Sequence, residues 1–285
     1  MARRSASWTL ALLPGLLLTT ALLLASQVLF LSAALHEDLG SGQSADTYSL
    51  ANFVTVVTDD YTLRSLGLSV WLSLLATVLT LLVAFPAGYI LARMRGAWAN
   101  VLLSAVVVSS FVTIVVKVLG LLLIFSANGP VNRALLDLGL IDSAVPFLGT
   151  RWGVVLGLVY YTFSYAVLLS YSMVATVPRA LEEVAAIHGA SAFGVLWQVL
   201  LPLCAPGLMA AALVLFNVDM GGFSSTALIG AGRVITIPVL VQRTVMLENG
   251  YGMGAALSAL LLAVVLLLNL AAGAVMTRSR LAVAA

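Results

Sequence analysis

Charge is what this sequence has least of: only 8% of its 285 residues are charged, 62% are hydrophobic, and the mean hydropathy is +1.14. Soluble domains carry about 25% charged residues, so a water-soluble domain is excluded and the chain belongs in a lipid bilayer. Cysteine is almost absent as well. Cys204 stands alone, which excludes an intrachain disulfide and a cysteine-based metal cluster. The two histidines, His36 and His188, lie far apart in the sequence, so a zinc site is not expected. Lys117 is the single lysine and sits inside an apolar run. A P-loop needs a lysine directly after its glycines to reach the phosphates, so this chain is not itself a P-loop ATPase, and any ATP that drives it binds to a partner. The net charge of +2 is scattered between apolar runs and leaves no basic face for nucleic acid. No catalytic residue, metal or cofactor is expected, and the chain is read as a non-enzyme.

What is present is a succession of long apolar runs. Arg3 and Arg4 precede one from about Trp8 to Leu35, longer than the roughly 7–15 apolar residues of a secretory signal and so a retained first span. An acidic stretch, His36 to Arg64, is expected as an exposed loop with a short surface helix near Leu50 to Val57. The second span, about Leu66 to Leu91, contains Pro86, which removes a backbone hydrogen bond. The third is placed at about Val101 to Phe125 and carries Lys117. A turn-rich loop with a short helix near Val131 to Leu138 leads to the fourth, about Trp152 to Thr176, where Gly153 and Gly157 are spaced for close helix packing. The fifth is placed at about Leu203 to Phe223. The region Gly221 to Gly254 is amphipathic enough to re-enter or lie along the surface, and the last span runs from about Met253 to Met276. Six spans put both termini on one side. Assigning that side to the cytoplasm places Arg3, Arg4, Arg93, Arg95, Arg179, Arg278 and Arg280 inside, against Arg64, Arg133, Arg151, Arg233 and Arg243 outside, in line with the positive-inside rule.

Between the fourth and fifth spans lies a punctuated segment that crosses nothing. Pro178 suits a first helical position, Glu182 and Glu183 put negative charge near the helix's positive end, and Gly189 is suited to end the helix in a left-handed conformation. Phe193, Leu196, Trp197 and Leu200 then recur at i, i+3, i+4 and i+7, the apolar stripe of a second helix, with Pro202 closing the unit. By composition alone such an elbow is no more than a solvated acidic face.

Its spacing says more. Glu183-Val184-Ala185, Gly189, Val199 and Leu201-Pro202 resemble the EAA loop of the permease subunits of ATP-binding-cassette (ABC) importers. That loop runs Glu-Ala-Ala, three residues, Gly, nine residues, Ile or a similar residue, one residue, Leu-Pro. Val184 for Ala and Val199 for Ile are mild departures. The likeness extends from about Asn52 to Arg278 and is nearest to permeases of spermidine/putrescine-type importers. It is carried by Leu91-Ala92-Arg93, Asn128-Gly129-Pro130-Val131-Asn132, Leu138-Gly139-Leu140-Ile141, Gly153 to Tyr160 and Ala227 to Arg233. The resemblance implies an all-α membrane protein of about six transmembrane helices in the type I importer permease fold. It also implies two ATPase subunits, a second permease that is a related chain, and an extracytoplasmic solute-binding protein. In the family the loop is the coupling helix that docks into a groove on the ATPase, with its Glu facing a basic residue there. Glu183 would have that role. Two departures bear on the solute: Gly222 stands before Phe223 where relatives commonly carry an acid, and Lys117 stands where Arg is expected.

The residues expected to couple to the ATPase are therefore Glu182, Glu183, Ala185, Gly189 and Pro202. Those expected along the substrate passage are Asp219, Asn217, Lys117 and Tyr161. Ionisable groups at membrane depth are functional candidates by default, although Lys117 could also snorkel to an interface. The expected organisation is a first helix with its loop over 1–51, a permease core over 52–278 and a cytoplasmic tail over 279–285, in the bacterial inner membrane. From other classes come an ion-coupled secondary transporter, with Asp219 and Lys117 as relay, and an assembly protein without a passage. The solute stays open among polyamine, other organic cations, amino-acid-like compounds, phosphonates and chelated iron.

Overall fold

The computed structural model describes residues 2–40 and 43–284, with side chains described over most of that range but not for Arg3, Arg4, Arg278 or Arg280. The elements are α1 (Ala2–Ala34), β1 (His36–Gly40), β2 (Gln43–Tyr48), α2 (Ala51–Thr58), α3 (Asp60–Arg93), α4 (Ala97–Phe111), α5 (Ile114–Phe125), α6 (Pro130–Asp137), α7 (Arg151–Ala175), α8 (Arg179–Ile187), α9 (Ala192–Gly194) with a π turn over Val195–Leu200, α10 (Leu201–Met220), α11 (Phe223–Gly230), α12 (Ile237–Leu247) and α13 (Tyr251–Ala284). Among the described residues six helical stretches are long and apolar enough to cross a membrane: Leu13–Ala34, Asp60–Arg93, Ile114–Asp137, Arg151–Ala175, Ala192–Met220 and Tyr251–Ala274. This is the multi-pass helical fold expected, with one antiparallel hairpin, β1 with β2, added to it.

Contacts divide the chain into two units, residues 1–64 with 240–263 and residues 65–239 with 264–285. In the first, the expected surface helix is α2, and part of the acidic loop is the hairpin. Asp38 in β1 accepts hydrogen bonds from the backbone N–H of Gly252 (2.9 Å) and Met253 (2.8 Å). These are orphan donors in the first turn of α13, and a carboxylate at a helix N-terminus is favoured by both hydrogen bonding and the helix dipole. Asn52 of α2, buried, donates to the carbonyls of Ala34 (3.2 Å) and His36 (2.8 Å). These two side chains give an acidic, turn-prone stretch a fixed shape.

In the second unit α7 is the central helix. More than half of its most apolar window, 56%, is buried, against none of the window in α1. Val154, Val155 and Leu158 pack with Leu72 and Ala76 of α3, Val118 and Leu121 of α5 and Ile229 of α11. Further along, Ala166 and Val167 pack with Ala84 and Leu91 of α3 and Leu215 of α10. Hydroxyl pairs join the helices at membrane depth, Thr80 with Thr162 (3.3 Å) and Ser109 with Ser164 (2.9 Å), the kind of polar contact that holds helices together where lipid offers no partner. Asn132 of α6, also buried, staples the loop around it by donating to Ser126 O (2.9 Å) and accepting from Val145 N (3.0 Å). Gly153 and Gly157 face Ile229 of α11, where a side chain would collide.

Two boundaries differ from expectation. The third apolar run is broken at Val112 and Thr113, both extended, so the span is Ile114–Asp137 and a shorter apolar helix, α4, precedes it. The helix's hydrogen-bond ladder stops there, and Tyr165 of α7 donates to the nearby Ser110 carbonyl (2.9 Å). The fifth span begins at Ala192, not near Leu203. The stretch expected to re-enter or lie along the surface is two helices, α11 and α12.

At Gly88, α3 comes close to α7: a β-carbon there would lie 2.6 Å from Ser170 Cβ and 2.8 Å from the Tyr171 backbone nitrogen. Backbone cannot yield as a side-chain tip can. Gly88→Val is expected to destabilise the fold by about 1–3 kcal/mol, read as a fall of several degrees in the detergent melting temperature of the purified protein. An unchanged melt would show that the α3–α7 contact is looser than described here.

Candidate functional site

Helix α8 starts after Pro178, which is its N-cap (φ −60°, ψ 131°), one place earlier than the first helical position expected of it. It ends as the sequence predicts. Gly189 has φ +88°, the Gly189 N–H bonds Ala186 O (2.9 Å) and the Ala190 N–H bonds Ala185 O (3.1 Å), the paired bonds of a Schellman motif that left-handed glycine makes possible. Ala185 and Ala190 pack on a cluster of Phe85, Val174, Val195, Leu196, Leu200 and Cys204.

The two glutamates face different ways. Glu182 turns inward: its Oε1 accepts from Arg93 Nε (2.6 Å) and its Oε2 from the Tyr89 hydroxyl (3.2 Å). Glu183 is exposed, together with Leu181, Val184 and Ile187, the last 82% exposed. The outer face of α8 is thus apolar with one acid at its edge.

The second half of the elbow corrects the expectation. No separate helix is closed by Pro202; the chain runs from Ala192 through Met220 as one apolar helical stretch with Pro202 inside it. The reason is the π turn just before Pro202, where Leu201 N–H bonds Leu196 O, five residues back. A proline ring collides with the carbonyl four residues earlier in a regular helix, and a widened turn next to it is a known way for a helix to absorb a local irregularity. The wider turn also splits the expected stripe: Leu196 and Leu200 are buried, whereas Phe193 and Trp197 are exposed as a ring pair 5.7 Å apart.

The four residues expected along a passage occupy three separate polar sites. Asp219, at the end of α10, is 4% exposed; its Oδ2 accepts from Thr77 of α3 (3.2 Å), while Oδ1 has no hydrogen-bond partner among the described residues. It faces a small chamber also lined by Ser69, Ser73, Gly222, Thr226 and Thr236. Lys117 of α5 is 4% exposed, which excludes snorkelling in this structure. Its ammonium donates to the Tyr161 carbonyl (3.4 Å) and lies 5.7 Å and 5.9 Å from the Tyr161 and Tyr160 ring centres, within cation–π range. Tyr161 also makes an edge contact with Tyr165. Asn217 exchanges hydrogen bonds with Asn269, amide to amide, at 3.1 and 2.9 Å. Asn269 and Thr77 were not singled out from the sequence. Asn269 is a lone amide in the last apolar run, and a polar residue at membrane depth was the available signal; a threonine among threonines gave none.

A family model described as binding-protein-dependent transport system inner membrane component matches residues 84–281. The spermidine/putrescine transport system permease protein PotB of Haemophilus influenzae is 27% identical over 193 residues, covering 66% of this chain and 68% of the relative. The sulfoquinovosyl glycerol transport system permease protein SmoH of Agrobacterium fabrum is 29% identical over 169 residues, 59% of this chain and 53% of the relative. Among solved structures, a bacterial alginate ABC transporter in complex with an alginate pentasaccharide-bound periplasmic protein superposes with a TM-score of 0.77 at 18% identity, covering 95% of this chain and 93% of the matched one.

The Asn217–Asn269 pair is expected to show a coupling energy of about 0.5–2 kcal/mol in a double-mutant cycle, with Asn217→Leu, Asn269→Leu and the double variant compared by thermal melting. Strict additivity of the two single changes would remove the pair as a link between α10 and α13.

Proposed function

The chain belongs to the family of binding-protein-dependent transport system inner membrane components, and we propose that it is the permease subunit of an ABC importer, the part through which solute passes. In this reading an extracytoplasmic binding protein delivers the solute, two ATPase subunits close on ATP, and a second, related permease completes the passage. Residues 52–278 form the permease core, and the elbow and both termini face the cytoplasm. The observation that carries the reading is helix α8: fixed at both ends, anchored on its inner side and exposing Glu183, Val184 and Ile187 on its outer side. Such a face is built for a partner's groove, with Glu183 set to meet a basic residue. ATP can drive the passage only if nucleotide-bound partners contact one arrangement of the spans better than the other, and α8 is where that differential contact is made.

The solute is proposed as a polyamine or a similar small organic compound. The PotB similarity and the buried carboxylate of Asp219 support an amine; buried Lys117 opposes one near α5. Proteins of similar sequence or fold are named for sulfoquinovosyl glycerol and alginate, so the fold by itself does not select the solute. For an Asp219–Lys117 relay the two groups would have to exchange a proton or ion. Asp219 bonds Thr77 and Lys117 bonds the Tyr161 carbonyl, and no hydrogen bond or ion pair joins the two among the described residues.

A mild-detergent pull-down of the tagged chain, followed by mass spectrometry, is expected to bring down an ATPase subunit and a second permease. Isolation of the chain alone, with solute moving in liposomes without ATP, would overturn the importer reading. Glu183→Arg is expected to leave the protein inserted and folded while abolishing ATP-driven uptake, measured with radiolabelled putrescine or spermidine if either proves to be carried. Full uptake by that variant would sink the assignment of Glu183 to coupling.

A further inference from the structure

We infer that Arg93, Tyr89 and Glu182 form an internal clasp that makes the end of α3 and the elbow helix α8 move as one body, with Glu182 a positioning residue inside this chain and not a contact to the ATPase. The inference rests on the importer reading. Both oxygens of Glu182 are taken, Oε1 by Arg93 and Oε2 by Tyr89, and the Arg93 and Glu182 side chains are only 15% and 14% exposed. Arg93 also donates to the Val177 carbonyl (3.0 Å), and Arg179, in the first turn of α8, donates to the Arg93 carbonyl (3.3 Å). The last carbonyls of a helix have no partner within it, so Arg179 satisfies the end of α3 while Glu182 neutralises the arginine there. A charge-assisted arginine–carboxylate contact, shielded from water and flanked by two further arginine-to-carbonyl bonds, is stronger and more directional than an exposed pair.

The clasp matters because of what α3 and α10 carry away from the elbow. The elbow runs into α10 through the π turn, and α10 carries Asp219 near its end. The clasp ties the same elbow to α3, which carries Thr77, the hydrogen-bond partner of Asp219. Thr77 lies 16 residues before Arg93, about 24 Å along a helix at 1.5 Å per residue. The elbow therefore reaches both members of one buried contact, by the chain itself on the α10 side and by the Arg93–Glu182 pair on the α3 side. With the clasp intact a displacement of α8 moves α3 and α10 together. Without it the elbow pulls on α10 alone, and the force is spent in shearing α10 against α3.

The test uses the whole transporter, co-expressed with its ATPase subunits and second permease, reconstituted in proteoliposomes and supplied with its binding protein and the solute identified for it. Glu182→Ala, Arg93→Glu and the exchanged pair Arg93→Glu/Glu182→Arg are compared for retention of the ATPase and for solute taken up per ATP hydrolysed. Glu182→Ala is expected to keep the ATPase bound while uptake per ATP falls about tenfold, within the usual range of coupling between sites. The exchanged pair is expected to recover most of that loss, which a merely destabilising effect of either single change would not do. Wild-type coupling in Glu182→Ala, or an exchanged pair no better than the worse single variant, overturns the clasp. Loss of the ATPase from Glu182→Ala also overturns it, since Glu182 would then be a partner contact. A wild-type chain that never retains an ATPase instead overturns the importer reading on which the inference stands.

Discussion

Hydrocarbon offers a polar group no partner, and most of what is specific in this structure follows from that constraint. A chain with so few charges still carries serines, threonines, asparagines, a lysine and an aspartate inside its apolar runs, and these find partners either in their own helix turn or in another segment. Thr80 finds Thr162, Ser109 finds Ser164, Asn217 finds Asn269, and Lys117 finds a carbonyl between two tyrosine rings. Apolar side chains gain little by meeting each other in lipid, so these contacts, with the close approaches at Gly88, Gly153 and Gly157, decide which helix faces which. Among the described residues four buried side-chain oxygens have no hydrogen-bond partner, on Ser170, Asp219, Ser225 and Thr236. For Asp219 it is one carboxylate oxygen, beside a small space lined by hydroxyls together with Leu72, Leu158 and Met220.

The elbow between the fourth and fifth spans obeys a different rule, because its helix is largely exposed and charge is tolerated there. There two adjacent glutamates, one step apart on a helix and so about 100° apart around it, serve opposite sides. Glu182 closes on Arg93 and Tyr89, and Glu183 stays exposed. The π turn before Pro202 joins the second half of the elbow, from Ala192, to the fifth span without a break, while α8 ends at the Gly189 turn.

The sequence made some of this legible and hid the rest for physical reasons. Length and apolarity of the runs set the number of spans, because crossing a bilayer requires a minimum stretch of helix. Pro178 and Gly189 bracketed α8 to within a residue, because capping is local chemistry. The hairpin was not legible: its shape is held by Asp38 on the N-terminus of α13 and by Asn52 on carbonyls around His36, contacts to residues distant in the chain or out of helical register. The break at Val112–Thr113 left no proline or glycine to announce it. The stripe of Phe193, Leu196, Trp197 and Leu200 was read with the period of a regular helix, and a wider turn gave it another.

By itself, then, the sequence determined the medium, the six spans, the elbow's position and its acidic character, and the spacing that places the chain among importer permeases, because all of these are set by residues near one another in the chain. Only the tertiary structure decided which glutamate is held and which is exposed, where Lys117 and Asp219 find partners, and that the second half of the elbow is continuous with α10 while α8 is clasped to α3. Those outcomes depend on how helices distant in the sequence rotate and approach, and in a membrane that is settled by scattered polar contacts and close glycine approaches that no periodicity announces.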